Sequence, residues 1–290
     1  MLTDIVRITR PQQWVKNGVV LAAVVFAGSI RDTSKVELAF AAAGVFCLLS
    51  SAIYTINDLV DRNRDRAHPL KKDRPLASGR MNVSTAIILI LVLSTVGLAA
   101  AWHIDGHFFF VSLGFVALNL LYSLVLKNIA ILDVMTLALS FVVRAFAGAA
   151  AIQVPASKWM LINTLLLALF LGFGKRRHEL VLLESDAQDH RKSLSNYSPY
   201  LLDQLIGVTT ASVVVMYMLY SFSPEVSQKL GTENLYLTIP FVVYGIFRYL
   251  YLIHKKAEGG SPTRVVFTDK PLLATVMLWM AAAIVILYHV

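Results

Sequence analysis

The chain reads as an all-α, polytopic membrane protein, and three observations predict it. Of its 290 residues, 57% are hydrophobic and only 15% charged, and the mean hydropathy is +0.66, outside the usual range of a water-soluble domain. Apolar runs close to the ~20 residues needed to cross hydrocarbon recur along the whole length. No polar stretch between them is long enough to fold separately in water, so a single domain over residues 1–290 is expected.

Taken in order, apolar runs set against polar breaks predict nine helices, at roughly 15–30, 38–60, 84–102, 107–126, 130–152, 157–176, 204–223, 234–254 and 271–289. The first is the shortest, because Gly28 and Arg31 close it early; it spans only if Trp14 and Lys16 stand at the interface. No small-residue cleavage site follows it, so it is expected to remain in the mature chain. The second ends in the polar stretch YTINDLVDRNRD, the fourth is flanked at its end by Tyr122 and Lys127, the fifth carries Asp133 and Arg144, and the sixth ends in GFGKRRHEL. Cys47, the only cysteine, lies in an apolar run, which excludes an internal disulfide or a cysteine zinc site.

The net charge of +8 is better explained by membrane orientation than by nucleic acid, which is not expected as a partner. Lysine and arginine collect in alternate connections: Arg7, Arg10 and Lys16; the stretch from Arg62 to Arg80; Lys127; Lys175 to Arg177 with Arg191 and Lys192; and Lys255 to Lys270. The other connections hold only Arg31, Lys35, Lys158 and Lys229. Positive loops are retained in the cytosol, so the N-terminus is expected there and, with nine crossings, the C-terminus outside.

The strongest chemical signal is Asn57, Asp58, Asp61 and Asp65 at the cytosolic end of the second helix. At ~100° per residue they fall at roughly 0°, 100°, 40° and 80°, one acidic face over two turns. Carboxylates crowded in this way repel unless a cation lies among them, and Mg2+ binds through one or two carboxylates plus substrate phosphate oxygens. The opposing reading, a solvated helix end paired with Arg62, Arg64 and Arg66, explains the gathering less well. Directly after it, His68, Lys71, Lys72 and Arg74 stand within reach of phosphate oxygens that a metal leaves uncovered, with Arg66 and Arg74 favoured because a guanidinium grips phosphate in bidentate fashion.

A second polar cluster, GFGKRRHELVLLESDAQDHRKSLSNYS, is more basic than acidic. Lys175 and Glu179 share a helix face at i, i+4, and Arg176, Arg191 and Lys192 are placed to converge with them. Glu179 is either the partner of Lys175 or a metal ligand. Arg144 lies deep in an apolar run and must face the bundle interior, either lining a substrate cavity or making a structural pair with an anion. Lys16, Asn17, Tyr122 and Lys127 share that ambiguity near the cytosolic surface, where Trp14 reads as an interface anchor. The seven histidines show no HExxH spacing, and neither a phosphate-binding glycine loop ending in GK[ST] nor a GxSxG elbow occurs.

On these residues the chain resembles a known family. NDLVDRNRD looks like the NDxxDxxxD signature of the UbiA superfamily of intramembrane prenyltransferases. That resemblance implies a bundle of nine transmembrane helices and a cytosol-facing Mg2+ diphosphate site built on Asn57, Asp58, Asp61 and Asp65. RPQQWVKN, NDLVDRNRDRAHPLKKDRPLASG, GKRRHEL and RKSLSNY together are similar to a branch of that superfamily, the decaprenyl-phosphate phosphoribosyltransferases. The second aspartate-rich motif of enzymes using prenyl diphosphate is replaced here by Glu179 and a run of cations, which suits a donor carrying an additional phosphate. The resemblance therefore implies Mg2+-dependent transfer of 5-phosphoribosyl from phosphoribosyl pyrophosphate to a polyprenyl phosphate in the bacterial inner membrane. Asp58, Asp61 and Asn57 would act in catalysis. Prenyl transfer to an aromatic acceptor is the alternative within enzymes, and an anion transporter, suggested by Arg144, the alternative outside them.

Overall fold

A computed structural model describes residues 2–67, 71–183, 192–255 and 260–288. Every regular element among them is a helix, and eight are long and apolar enough to cross a membrane. On their outer faces stand large apolar side chains such as Ile88, Leu91, Phe110 and Val208, each more than half exposed, as lipid contact requires. The chain is a multi-pass membrane protein.

The helices, in chain order, are α1 (Leu2–Thr9), α2 (Ala22–Phe26), α3 (Thr33–Val60), α4 (Arg62–Ala67), α5 (Val83–Ile104), α6 (Gly106–Leu124), α7 (Leu132–Ala151), α8 (Lys158–Leu183), α9 (Pro199–Phe222), α10 (Pro224–Leu230), α11 (Ile239–Lys255), α12 (Pro262–Thr268) and α13 (Lys270–Tyr288). The second to ninth expected runs are all present, and the sixth is longer than its apolar part. α8 continues through KRRHEL, whose lysine, arginines, glutamate and leucine are good helix formers, so the start of the second polar cluster sits on a helix.

The first expected helix takes another form. Residues Pro11–Leu21 wind as a 3-10 helix and only Ala22–Phe26 as α-helix, so among the described residues eight long helices and this mixed segment stand where nine helices were expected. Runs of 3-10 helix beyond three or four residues are uncommon, and in them side chains three apart eclipse. That period is written in the contacts. Trp14 Nε1 donates to Ser51 Oγ at 3.0 Å, Asn17 accepts from Ser50 Oγ at 3.2 Å, and Val20 and Ala23 are buried. One face at spacing three is thus pinned to the rest of the chain.

The described chain clusters into two compact units. The first comprises Met1–Val25 and Ser29–Ala156. Its apolar centre holds Phe46, Phe108 and Phe115 with Leu49, Ile53 and Ala147, the Phe46 and Phe115 rings lying 4.8 Å apart. Asp105 serves two helices: its backbone N–H closes α5 on Ala101 O, and its side chain accepts from Phe108 N at 2.9 Å to open α6. The Phe108 N–H holds the Asp105 carboxyl below its ordinary value. Beyond α4, the loop is shaped by Arg62 Nε on Leu76 O at 3.3 Å and Arg66 Nε on Ala77 O at 3.0 Å, and Leu76 packs with Ile8, Met81 and Ala86.

The second unit comprises Phe26–Gly28 and Ser157–Val290. Tyr220, Val226 and Leu235 pack there with Phe26 and Trp159. Tyr217 bonds Thr238 Oγ1 at 2.7 Å and receives Trp279 Nε1 at 2.8 Å. Arg248 grips Asp269 with two bonds, at 3.1 and 2.8 Å.

Candidate active site

The site in the first unit is built where an apolar helix runs out of apolar sequence. α3 delivers Asn57 and Asp58 on its last turn, Asp61 forms its C-cap at φ −90° and ψ 2°, and α4 carries Asp65. The expected helix is therefore interrupted at Asp61, in a stretch of Asn and Asp residues that compete with helical backbone bonding. Backbone bonding bridges the interruption, because Asp61 N donates to Asn57 O at 2.9 Å and Asp65 N to Asp61 O at 2.8 Å. Asp58 and Asp65 consequently meet at one cation, Arg74, and Asp61 meets another, Lys127.

Asp58 and Asp65 are buried, at 2% and 4% exposure, so neither can hold charge without a partner. Arg74 Nη1 supplies one to both, 2.9 Å from Asp58 Oδ1 and 2.7 Å from Asp65 Oδ2. Arg10 donates to the same Asp58 oxygen and lies 5.4 Å above the Tyr54 ring. Lys127, itself buried, reaches Asp61 Oδ1 at 2.6 Å. Burial raises the Asp65 carboxyl above its ordinary value; Arg74 and Lys71 pull the other way and the Asp58 charge adds to the rise.

Among the described residues no group of three or more His, Cys, Asp and Glu side chains forms a ready metal cage. The donor chemistry nevertheless suits Mg2+, which takes hard oxygen ligands with substrate phosphates completing its shell. Asp58 Oδ1 and Asp65 Oδ2 already face one positive atom, Arg74 Nη1, which stands in for a shared cation.

The other predicted residues of this unit fall into two groups. Lys71 and Lys16 are half-buried, as is Asn57. Arg66 is tied to the loop backbone at Ala77. Tyr122 is buried on α6. Asn17 and Arg144 form a separate interior network: Arg144 Nε donates to Asn17 Oδ1 at 3.0 Å, and Arg144 Nη1 donates to Ser140 O and Oγ at 3.0 and 2.9 Å. The guanidinium also lies 4.6 Å from the Phe115 ring centre and 5.1 Å from that of Phe141. The expected anionic partner is not what the structure places there; among the described residues, neutral acceptors and two aromatic faces surround the charge.

In the second unit, Lys175 and Glu179 do share a helix face, at 3.7 Å, and Arg176 bonds the other Glu179 oxygen at 2.5 Å. Arg176 is the surprise, being 1% exposed. Arg177 pairs with Asp203 at 2.5 Å, and His254 Nε2 meets the same carboxylate at 3.2 Å. Lys192 opens a short 3-10 turn, Lys192–Asn196. Arg191 and His68 lie outside the described residues.

Arg10 is the site residue that sequence reasoning placed at the right surface without giving it a role. Its backbone adopts φ 51° and ψ 62°, a left-handed conformation uncommon outside glycine. The Arg10–Pro11 pair signals a change of direction, but a partner 48 positions away is written in no local pattern.

Comparison with known proteins adds a lineage to this geometry. Residues 18–270 match the UbiA prenyltransferase family. A decaprenyl-phosphate phosphoribosyltransferase of Mycobacterium tuberculosis is 33% identical, over 97% of this chain and 93% of that protein. One of Corynebacterium glutamicum is 32% identical, over 98% of this chain and 86% of that protein. Among solved structures, a UbiA homolog from Archaeoglobus fulgidus bound to DMAPP and Mg2+ superposes with a TM-score of 0.74 at 19% identity, covering 99% of this chain and all of that one; at that identity the likeness shows the fold.

Proposed function

The chain belongs to the UbiA prenyltransferase family, and from that premise we propose that it moves 5-phosphoribosyl from phosphoribosyl pyrophosphate onto a polyprenyl phosphate of decaprenyl type, releasing diphosphate. One observation carries the reading: Asp58 and Asp65, both buried, converge on a single positive charge, and Asp61 is paired with Lys127. The names of the mycobacterial and corynebacterial relatives and the replacement of a second aspartate motif by Lys175, Arg176 and Glu179 favour a phosphoribosyl donor over a prenyl one. Both compact units then belong to one transferase, placed in the bacterial inner membrane with membrane lipids as its solvent.

Asp58, Asp61 and Asp65 would hold Mg2+, with Asn57 orienting them, and the bound ion would supply Lewis-acid stabilisation of the departing diphosphate. Lys16, Lys71, Arg74 and Lys127 hold phosphate oxygens and steady the charge that grows on the leaving group. An oxygen of the acceptor phosphate attacks the anomeric carbon; the bond from that carbon to diphosphate breaks and its electron pair leaves with diphosphate. The acceptor phosphate is already anionic near neutral pH, so the chain needs no strong base. Asn17, Arg66, Tyr122 and Arg144 are further proposed substrate contacts, and Lys175, Arg176, Glu179, Arg191 and Lys192 of the second cluster are proposed separately as such.

The test offers purified protein two donor and acceptor pairs, phosphoribosyl pyrophosphate with decaprenyl phosphate, and prenyl diphosphate with 4-hydroxybenzoate, and identifies the lipid products by mass spectrometry. Ribose phosphate on the lipid is expected, and product from the second pair alone would refute the assignment. Asp61→Asn should lower turnover by about a hundredfold or more, as loss of metal-held charge stabilisation does.

A further inference from the structure

Among the described residues the acidic face carries its own counter-ions. Asp58 accepts from Arg10 and Arg74, Asp65 from Arg74, and Asp61 from Lys127. Three carboxylates thus pair directly with three cations, Lys71 adds its charge at Asp65, and the pairs are set into a largely dry place: Asp58, Asp65 and Lys127 are buried. Burying a net charge is unfavourable by far more than burying a neutral set. A divalent ion arriving alone would either meet carboxylates already occupied or leave the cluster with at least two uncompensated positive charges. A divalent ion arriving with a diphosphate meets neither obstacle, because phosphate oxygens take over the freed guanidinium and ammonium groups, which suit them as donors.

We propose that Arg10, Arg74 and Lys127 are resident counter-ions that exclude a bare metal ion, so that the site takes a divalent cation only together with a diphosphate, and that Arg10 is in consequence a donor-phosphate contact. This inference rests on the diphosphate reading above. Arg10 is suited to the exchange. Its guanidinium bonds Asp58 and lies over the Tyr54 ring, so releasing Asp58 leaves it above an aromatic face, part-exposed and facing the same site.

Equilibrium dialysis of the detergent-solubilised full chain, counting Mn2+ and radiolabelled inorganic pyrophosphate retained by the protein, tests it without reference to turnover. At one free Mn2+ concentration, retention should be slight with Mn2+ alone and rise about tenfold or more with pyrophosphate. Arg74→Gln and Arg10→Gln, each removing one positive charge from the cluster, should raise retention of Mn2+ alone by about tenfold and shrink the gain from pyrophosphate. Equal retention by the unaltered protein with and without pyrophosphate overturns the counter-ion proposal and leaves the diphosphate site standing. Retention that persists undiminished in Asp58→Asn with Asp61→Asn overturns both, since the metal would then be bound elsewhere. The measurement on the unaltered protein decides the matter even if a variant fails to fold.

Discussion

Arg144 shows what a single charged side chain demands of a membrane interior. At 6% exposure its charge must be matched, and the match is made from dipoles and rings: Asn17 Oδ1, Ser140 O and Oγ, and the faces of Phe115 and Phe141. Through Asn17 it also fastens the 3-10 segment to α7. Arg144→Met keeps the length and removes every donor, so that, among the described residues, Asn17 Oδ1 keeps only Ser50 Oγ and Ser140 Oγ only Asn119 as partners. A loss on the order of 2 kcal/mol is expected, read as a fall in the unfolding temperature of the purified protein in detergent. Arg144→Lys should not restore it, because an ammonium has neither the flat face nor the fork. Unchanged melting in Arg144→Met would show that the network contributes nothing. Sequence placed this arginine inside the bundle correctly, since position in an apolar run is a local fact; Ser140 and Phe141 lie one turn back on the same helix, whereas Asn17 and Phe115 come from two other elements and have no signature in spacing.

Helices were legible where their stabilisation is local, and less so where a neighbour dictates the winding. α3, α5, α6, α7, α9, α11 and α13 follow from apolar length alone, and helical angle brings Asp58 and Asp65 to one partner despite the interruption at Asp61, which pairs with Lys127 instead. The segment Pro11–Leu21 did not, because counting apolar residues cannot distinguish a period of 3.6 from one of three; Trp14, Asn17, Val20 and Ala23 held that signal. Its tight winding depends on a close approach to α7. A Cβ added at Gly148 would lie 2.0 Å from Val20 O, a backbone atom that has no rotamer to change. Gly148→Ala should therefore push the segment off α7 and destabilise the protein by about 3 kcal/mol, the upper end for an overpacked core. Because the same segment positions Arg10 on Asp58, binding of pyrophosphate should weaken along with stability. A variant that melts and binds like the unaltered protein would mean that the two backbones are not in contact.

At the scale of the whole molecule, the side of the membrane on which the chain ends turns on that same segment. Eight long helices return the chain to the side it started from, and one more crossing reverses the outcome. Residues 11–26 wound wholly as α-helix would extend only about 24 Å, short of a hydrocarbon core of about 30 Å. Eleven of them wind as 3-10 helix and five as α-helix. At rises of about 2.0 and 1.5 Å per residue the segment reaches about 30 Å, which is a full crossing. The stretched winding thus brings a run that is too short to the length of a crossing, and a ninth crossing there would put the basic connections all on one side. The expected topology is a cytosolic N-terminus and an external C-terminus, with the Asp58 face at the cytosolic boundary where a soluble donor arrives. Fusions of alkaline phosphatase and of green fluorescent protein to the C-terminus should give an active phosphatase and a dark fluorophore. A fluorescent fusion with silent phosphatase would mean that the first segment turns back within the membrane, and the orientation of the site would then have to be assigned from α3 and α5 alone.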